Sequence, residues 1–267
     1  VKTVVFKCGG STLDQLPNTF YETVANLHKN EGYQPVIVHG GGPLITSALS
    51  QFNVSTTFVD GLRVTTNEVL DIVEMVLSGT VNKQIVRKFH QNGGVAHGMS
   101  GVDSALLQAR PAKNAEKLGF VGEVEHVNSG VLQTMIESGA IPVISPIGID
   151  DNGQRYNLNG DTAASAVAQA LQAPLCFLSD VPGVMYDQKE GHGVYEQLTI
   201  QQAESLIDKQ QVTGGMIPKL RAAMKAVKHG VTNVSMIDGT NVNDLEDYFN
   251  GKSIGTTVER GEEMHHV

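Results

Sequence analysis

Cysteine is nearly absent: Cys8 and Cys176 are the two thiols in 267 residues. So few, so far apart, they exclude a disulfide framework and a zinc cluster and fit a reducing compartment, so a cytoplasmic location is expected. No apolar run approaches the roughly 18 residues of a membrane span. The chain enters a strand-like run within its first few residues, which leaves no room for a secretory leader. The Asn-Val-Ser sequons at Asn53 and Asn233 then carry no glycan. Positive charge is also short, with 19 Lys and Arg against 28 Asp and Glu and a net charge of −9. That balance argues against nucleic acid as a partner, and an anionic ligand has to be met by a few local cations. Several catalytic signatures are missing too. There is no His-Glu-x-x-His zinc motif and no Gly-x-Ser-x-Gly elbow. "NGKS" at 250–253 fails as a phosphate loop, because the glycine needed five residues before Gly251 is Glu246. No metal-binding residue is expected, and His265 and His266 in the polar tail "ERGEEMHHV" read as solvated.

What is present alternates. Strand-like runs fall at Thr3–Lys7, Pro35–His39, Ile141–Ile147, Pro174–Ser179 and Val231–Ile237. Helical spacing links Ile45, Ala48, Leu49 and Phe52, then Val69, Ile72, Val73, Val76 and Leu77, then Leu220, Met224 and Val227. Thr65-Thr66-Asn67-Glu68 offers a capping box to the second of these. Apolar strands alternating with helices predict an α/β fold, a mainly parallel sheet covered on both faces. Ala105–Ala109 and Phe120–Val127 are shorter and more polar, and read as a hairpin insertion. With no linker and no repeat, two lobes on one continuous sheet are expected, dividing between about residues 145 and 175.

Glycines gather where strands end. In "VVFKCGGST" (4–12), Lys7 closes an apolar run and Gly9 and Gly10 follow. Lysine is a compact charge suited to phosphate, and glycine lets backbone N–H groups come close to a ligand. A snorkelling lysine before a plain turn fits the same stretch. "VIVHGGGP" brings Gly41 and Gly42 ahead of Pro43, a good first helical residue, and so aims amides and a helix start at an anion; a tight turn is the alternative. The strand-end His39 is given no catalytic role. Arg63, in "FVDGLRVTT", suits a carboxylate or simply the surface. In "YNLNGDTAASAVAQAL", Asn157 reads as a ligand donor, and Asp161 as an orienter of cations or merely the helix cap. "FLSDVPGVM" carries Ser179, Asp180 and Gly183 at a strand's carboxyl end, where nucleotides bind in open sheets. "TGGMIPKLRAAMKA" sets Gly214 and Gly215 before Lys219, and Pro218 either interrupts this helix or marks its start. Two lysines beside glycine pairs suit a polyphosphate. The residues alone therefore point first to phosphoryl transfer without a Walker loop, and second to a nucleotide or acyl-phosphate binder without catalysis.

Taken together, Lys-x-Gly-Gly at 7–10, "VHGGGP" at 38–43, "GLRVT" at 61–65, "NLNGDTAA" at 157–164, "LSDVPGV" at 178–184 and "GGMIPK" at 214–219 resemble the amino acid kinase family, from Lys2 to about Arg260. "GLRVT" with "NLNGD" is similar to the members acting on N-acetyl-L-glutamate. The resemblance implies a three-layer αβα sandwich around a mainly parallel central sheet. It implies an N-terminal lobe, about 1–160, that binds the acetylated amino acid and forms a homodimer, and a C-terminal lobe, about 161–267, that binds ATP. The implied reaction phosphorylates the side-chain carboxylate of N-acetyl-L-glutamate, a step of arginine biosynthesis, with ATP and Mg²⁺ bound through nucleotide phosphates. Acetylaminoadipate, one methylene longer, is the alternative acceptor, and a non-catalytic nucleotide-binding relative is the alternative class. By motif, Lys7 and Lys219 resemble the transition-state stabilisers and Asp161 the residue organising both. Arg63 and Asn157 resemble the substrate-binding pair, with Gly41 and Gly42. Gly9 and Gly10 fall on phosphate, and Ser179, Asp180, Gly183, Gly214 and Gly215 border the nucleotide. One stretch departs from the pattern: Gly101-Val102-Asp103-Ser104 stands where many relatives carry Gly-Lys-Asp-Gly. The first strand begins by Thr3, so the extra N-terminal helix of hexameric, arginine-inhibited relatives is not expected. A homodimer little inhibited by arginine is.

Overall fold

The computed structural model describes residues 2–188 and 191–261. The polar tail with His265 and His266 lies outside the described residues. The central sheet has eight strands. In spatial order they are Gln197–Thr199, Thr256–Glu259, Val234–Asp238, Leu175–Ser179, Lys2–Cys8, Tyr33–His39, Ile141–Ser145 and Ala96–Ser100. From Val234–Asp238 onward every pairing is parallel. Thr256–Glu259 runs antiparallel to Val234–Asp238, and Gln197–Thr199 runs parallel to Thr256–Glu259. The carboxyl ends of the six parallel strands therefore share one edge, where Cys8, His39, Ser100, Ser145, Ser179 and Asp238 terminate them.

Side chains alternate across a strand, and the alternation of Lys2–Cys8 decides where Lys7 points. Val4, Phe6 and Cys8 enter one core with Phe20, Ile37, Leu49, Val73 and Phe89. Val5 enters the other, with Val36, Val38, Phe177 and the helical Ala163, Ala164, Val167 and Leu220. Lys7 shares the face of Val5 and so meets the helix Gly160–Ala170. Helices cover both faces, giving the expected three-layer αβα sandwich. Both thiols are buried in the first core, and burial pushes that of Cys8 up to about 12.

Two expectations need correction, and the hairpin insertion is present in a more elaborate form. Leu107–Pro111 and Val121–Val127 pair antiparallel, but the short helix Ala115–Leu118 lies between them, and with Ile147–Ile149 and Arg155–Leu158 they close a small four-stranded barrel. Pro146, which lacks an N–H, separates Ile141–Ser145 from Ile147–Ile149 and sends the chain from sheet to barrel. The capping box does not form: Thr66, not Thr65, caps Asn67–Glu74, its side chain accepting from Val69 N–H. That helix then passes into a π-turn, Met75–Val81, and on into Asn82–Gln91.

Candidate active site

The Lys7 ammonium reaches Asp161 at 2.6 Å, the pair being only partly exposed. Asp161 is free for this because it does not cap the helix, which corrects the simplest reading of that residue. Asn159 is the cap, its side-chain oxygen accepting from the N–H groups of Asp161 and Thr162 at 2.9 and 3.0 Å. Lys219 sits in the first turn of Met216–Lys228, one residue after Pro218, where a missing N–H costs no helical bond. Its ammonium donates to Ser179 Oγ at 2.7 Å and lies 3.3 Å from Asp180 Oδ1. Among the described residues it is not within ion-pairing distance of Asp161. The two lysines thus have separate holders, where the sequence suggests a shared one. The Asp180 carboxyl is held below its ordinary pKa first by its own backbone N–H and then by Lys219.

The two glycine loops pack on each other. A Cβ on Gly10 would lie 2.9 Å from both Gly42 N and Pro43 Cδ, and one on Gly41 would lie 2.7 Å from Leu77 Cδ2. Glycine at these two positions is needed for loop-to-loop and loop-to-helix approach, a reason the sequence does not reveal. Gly42 faces open space by the same measure, whereas a Cβ built on Gly9 would make ordinary contacts at 3.5 Å with Lys7 Nζ and Thr12 Oγ1. The N–H groups of Gly9 and Gly41 have no protein acceptor among the described residues. Gly214, at φ +58°, and Gly215 also border open space. Gly183 differs: a Cβ there would meet Thr256 Oγ1 at 2.6 Å, so it packs the Ser179–Gly183 loop against the strand Thr256–Glu259.

Arg63 is 8 % exposed and, among the described residues, pairs with no carboxylate. One terminal nitrogen donates to Thr46 Oγ1 at 2.8 Å and to the Gly42 carbonyl at 3.3 Å. The other is buried with no hydrogen-bond partner among the described residues. Phe58 lies against the guanidinium, 4.7 Å from its carbon to the ring centroid, and burial pushes the group's pKa down. An arginine stays charged in proteins, so an orphaned buried N–H of this kind is costly unless an anion meets it. Asn157 donates to Thr65 Oγ1 at 3.0 Å, and Thr65 in turn donates to the Arg63 carbonyl at 2.8 Å. The motif residues Arg63 and Asn157, 94 positions apart, are joined through this one hydroxyl. Thr46 and Thr65 are site residues that sequence reasoning missed, although Thr65 lies inside "GLRVT".

Residues 2–238 match the amino acid kinase family profile. The chain belongs to the amino acid kinase family. Relatives named acetylglutamate kinase align over nearly the whole chain. The one from Oceanobacillus iheyensis is 49 % identical over 98 % of this chain and 99 % of its own length. That from Geobacillus kaustophilus is 48 % identical over 97 % of each. A Streptococcus mutans protein of known crystal structure superposes with a TM-score of 0.82 at 30 % identity, covering 97 % of this chain and 99 % of its own. As an amino acid kinase, the chain is a phosphotransferase that uses ATP.

Proposed function

We propose that this amino acid kinase transfers the γ-phosphoryl group of ATP to the side-chain carboxylate of N-acetyl-L-glutamate, the second step of arginine biosynthesis by the acetylated route. Among the site's features, the observation that carries this reading is Arg63, a buried guanidinium with a free N–H and no carboxylate among the described residues. A small acid supplies the missing anion, and a charged guanidinium N–H makes its strongest hydrogen bond to an ionised carboxylate. Asn157, Gly41 and Gly42 complete the acid's side of the site. Ser179, Asp180, Gly183, Gly214 and Gly215 border the nucleotide, with Gly9 and Gly10 toward the phosphates.

The acceptor carboxylate is already the nucleophile, so no general base is required. What opposes the reaction is repulsion between an anionic acceptor and an anionic phosphoryl group, and catalysis is positioning plus neutralisation. Lys7 and Lys219 supply fixed charge to the transferring oxygens, and the free glycine amides supply hydrogen bonds. Asp161 holds Lys7 in place. Among the described residues no cluster of three or more His, Cys, Asp or Glu side chains is set to hold an ion. The site carboxylates Asp161 and Asp180 are both engaged by lysines. Mg²⁺ is accordingly assigned to the nucleotide phosphates, which it commonly uses with water, where it would offset their charge.

The strand Lys2–Cys8 lies between the two sets of ligand groups, which supports a division into an acid-binding lobe of about residues 1–160 and an ATP-binding lobe of about 161–267. We assign the chain to the cytoplasm as a homodimer formed through the N-terminal lobes. Light scattering tests the assembly. The test of the activity is chemical. Incubation with ATP–Mg²⁺, N-acetyl-L-glutamate and hydroxylamine is expected to give the γ-hydroxamate in step with ADP; ADP release without hydroxamate would refute it.

A further inference from the structure

The mechanism leaves a buried imidazole unused. His39 ends the strand Tyr33–His39 and is fully buried. Its Nδ1 lies 3.0 Å from the Gly40 carbonyl oxygen and its Nε2 lies 3.2 Å from Asn82 Nδ2. A carbonyl only accepts, so Nδ1 carries the proton and Nε2 offers its lone pair. The Asn82 amide is oriented independently. Its two N–H groups are shared among three acceptors, the Val143 carbonyl at 2.9 Å, the Met99 carbonyl at 3.2 Å and His39 Nε2, and its oxygen accepts from Lys83 Nζ at 3.0 Å. Turned over, it would set oxygen against two carbonyls and nitrogen against an ammonium. Burial pushes the His39 ring down to about 4, so it stays neutral near pH 7.

The effect lies one bond further along the chain. In a planar trans peptide, the Gly40 C=O and the Gly41 N–H point in opposite directions. Drawing the Gly40 oxygen inward toward the ring turns the Gly41 N–H away from it, and that N–H has no protein acceptor among the described residues. Leu77 and Val81 close the space beside Gly41, at 2.7 and 3.2 Å from where its Cβ would lie. Both belong to the π-turn Met75–Val81, and Asn82 follows at once. Such turns are rare and often mark functional sites. Here one segment supplies both the packing beside Gly41 and the amide behind His39.

We propose that His39, backed by Asn82, is a positioning residue that fixes the Gly40–Gly41 peptide so that the Gly41 N–H meets the anionic oxygens of the reacting groups. The identity of those oxygens rests on the kinase reading; the way the peptide is held rests on the hydrogen bonds alone. Two substitutions separate the bonds of the ring. His39→Asn places an amide nitrogen near Nδ1 and keeps the bond to Gly40, whereas His39→Gln reaches Asn82 and releases Gly40. The expected result is kcat within about threefold of wild type for His39→Asn. For His39→Gln a loss of about thirtyfold is expected, less than the roughly 10²–10³ of a deleted oxyanion donor because the amide is misdirected and not removed, with the two melting temperatures alike. Losses that follow melting temperature, or a more active Gln variant, overturn the inference. A second measurement needs no variant. ¹⁵N NMR of the wild-type protein should show the His39 ring as the Nδ1–H tautomer from pH 5 to 8, and an Nε2–H or doubly protonated ring in that range contradicts the proposal. If wild type forms no acyl phosphate, the kinase reading fails, and the ring measurement still decides how the loop is held.

Discussion

Arg63 and the lysine pair are both cationic, yet they are built differently. Arg63 is buried, stacked on Phe58, held on one nitrogen by Thr46 and Gly42, and left open on the other. Lys7 and Lys219 are more exposed, at 16 % and 27 %, and each already has an anionic neighbour. The first arrangement is pre-formed for one ligand group, so binding costs little reorganisation. In the second, ammonium groups share themselves between a protein carboxylate and an arriving phosphate, which suits charge that is needed most as the phosphoryl group moves. The difference assigns binding of the acid to one end and acceleration of the transfer to the other.

That division is broken most sharply at the lysines. Lys7→Ala and Lys219→Ala are each expected to lower kcat about a hundredfold, roughly 3 kcal/mol of transition-state stabilisation, with KM for the acid little changed. Steady-state kinetics at saturating ATP decides it, and near-normal turnover in both variants would remove the lysines from the mechanism. Arg63→Ala should give the opposite split. KM for N-acetyl-L-glutamate rises about tenfold or more while kcat stays within a few-fold, because the contact is remote from the reacting carboxylate. An Arg63→Ala effect confined to kcat would merge the two regions.

Asp161 and Asp180 sharpen the contrast within the lysine pair. Asp161→Asn is expected to lower kcat about tenfold, on the scale of a lost charge-assisted hydrogen bond. Its melting temperature should hold, because the helix is capped by Asn159. Asp180→Asn should cost less, since Lys219 keeps Ser179 Oγ at 2.7 Å. Equal effects would say that the holders are interchangeable. The smallest effect concerns a loop away from these charges. Ser104 adopts φ +53°, strained for a residue with a Cβ, and Ser104→Gly is expected to stabilise by about 0.5–1 kcal/mol without altering turnover. Chemical denaturation measures it, and a destabilised variant would show that the hydroxyl matters more than the backbone.

Much of the fold is legible because burial leaves periodic marks. The apolar runs at Lys2–Cys8, Tyr33–His39 and Leu175–Ser179 sit in mid-sheet, closed off from water on both faces, and read as continuous hydrophobic stretches. Ala96–Ser100 is an edge strand, "AHGMS", with only Met99 and Ser100 buried, and so leaves no such mark. The helix Asn18–Asn30 was legible in principle, since Phe20, Val24 and Leu27 share one face. At the site, motifs locate residues but not their partners. The Thr65–Asn157 bond spans 92 positions and Lys219–Ser179 spans 40. Pairings of that range are set by sheet order, which no local spacing encodes. The same holds for Gly10, whose need for glycine comes from Gly42 and Pro43 at the start of the helix Gly42–Gln51.

The account's central claim is that the site selects a carboxylate acceptor of one length. The most direct measurement is kcat/KM, from hydroxamate formation with ATP–Mg²⁺, for N-acetyl-L-glutamate against N-acetyl-2-aminoadipate, aspartate and carbamate. A methylene is worth about 1–3 kcal/mol in a fitted pocket, so N-acetyl-L-glutamate is expected to lead its longer homologue by about tenfold or more, with aspartate and carbamate far behind. A higher kcat/KM for any of the other three would contradict the assignment.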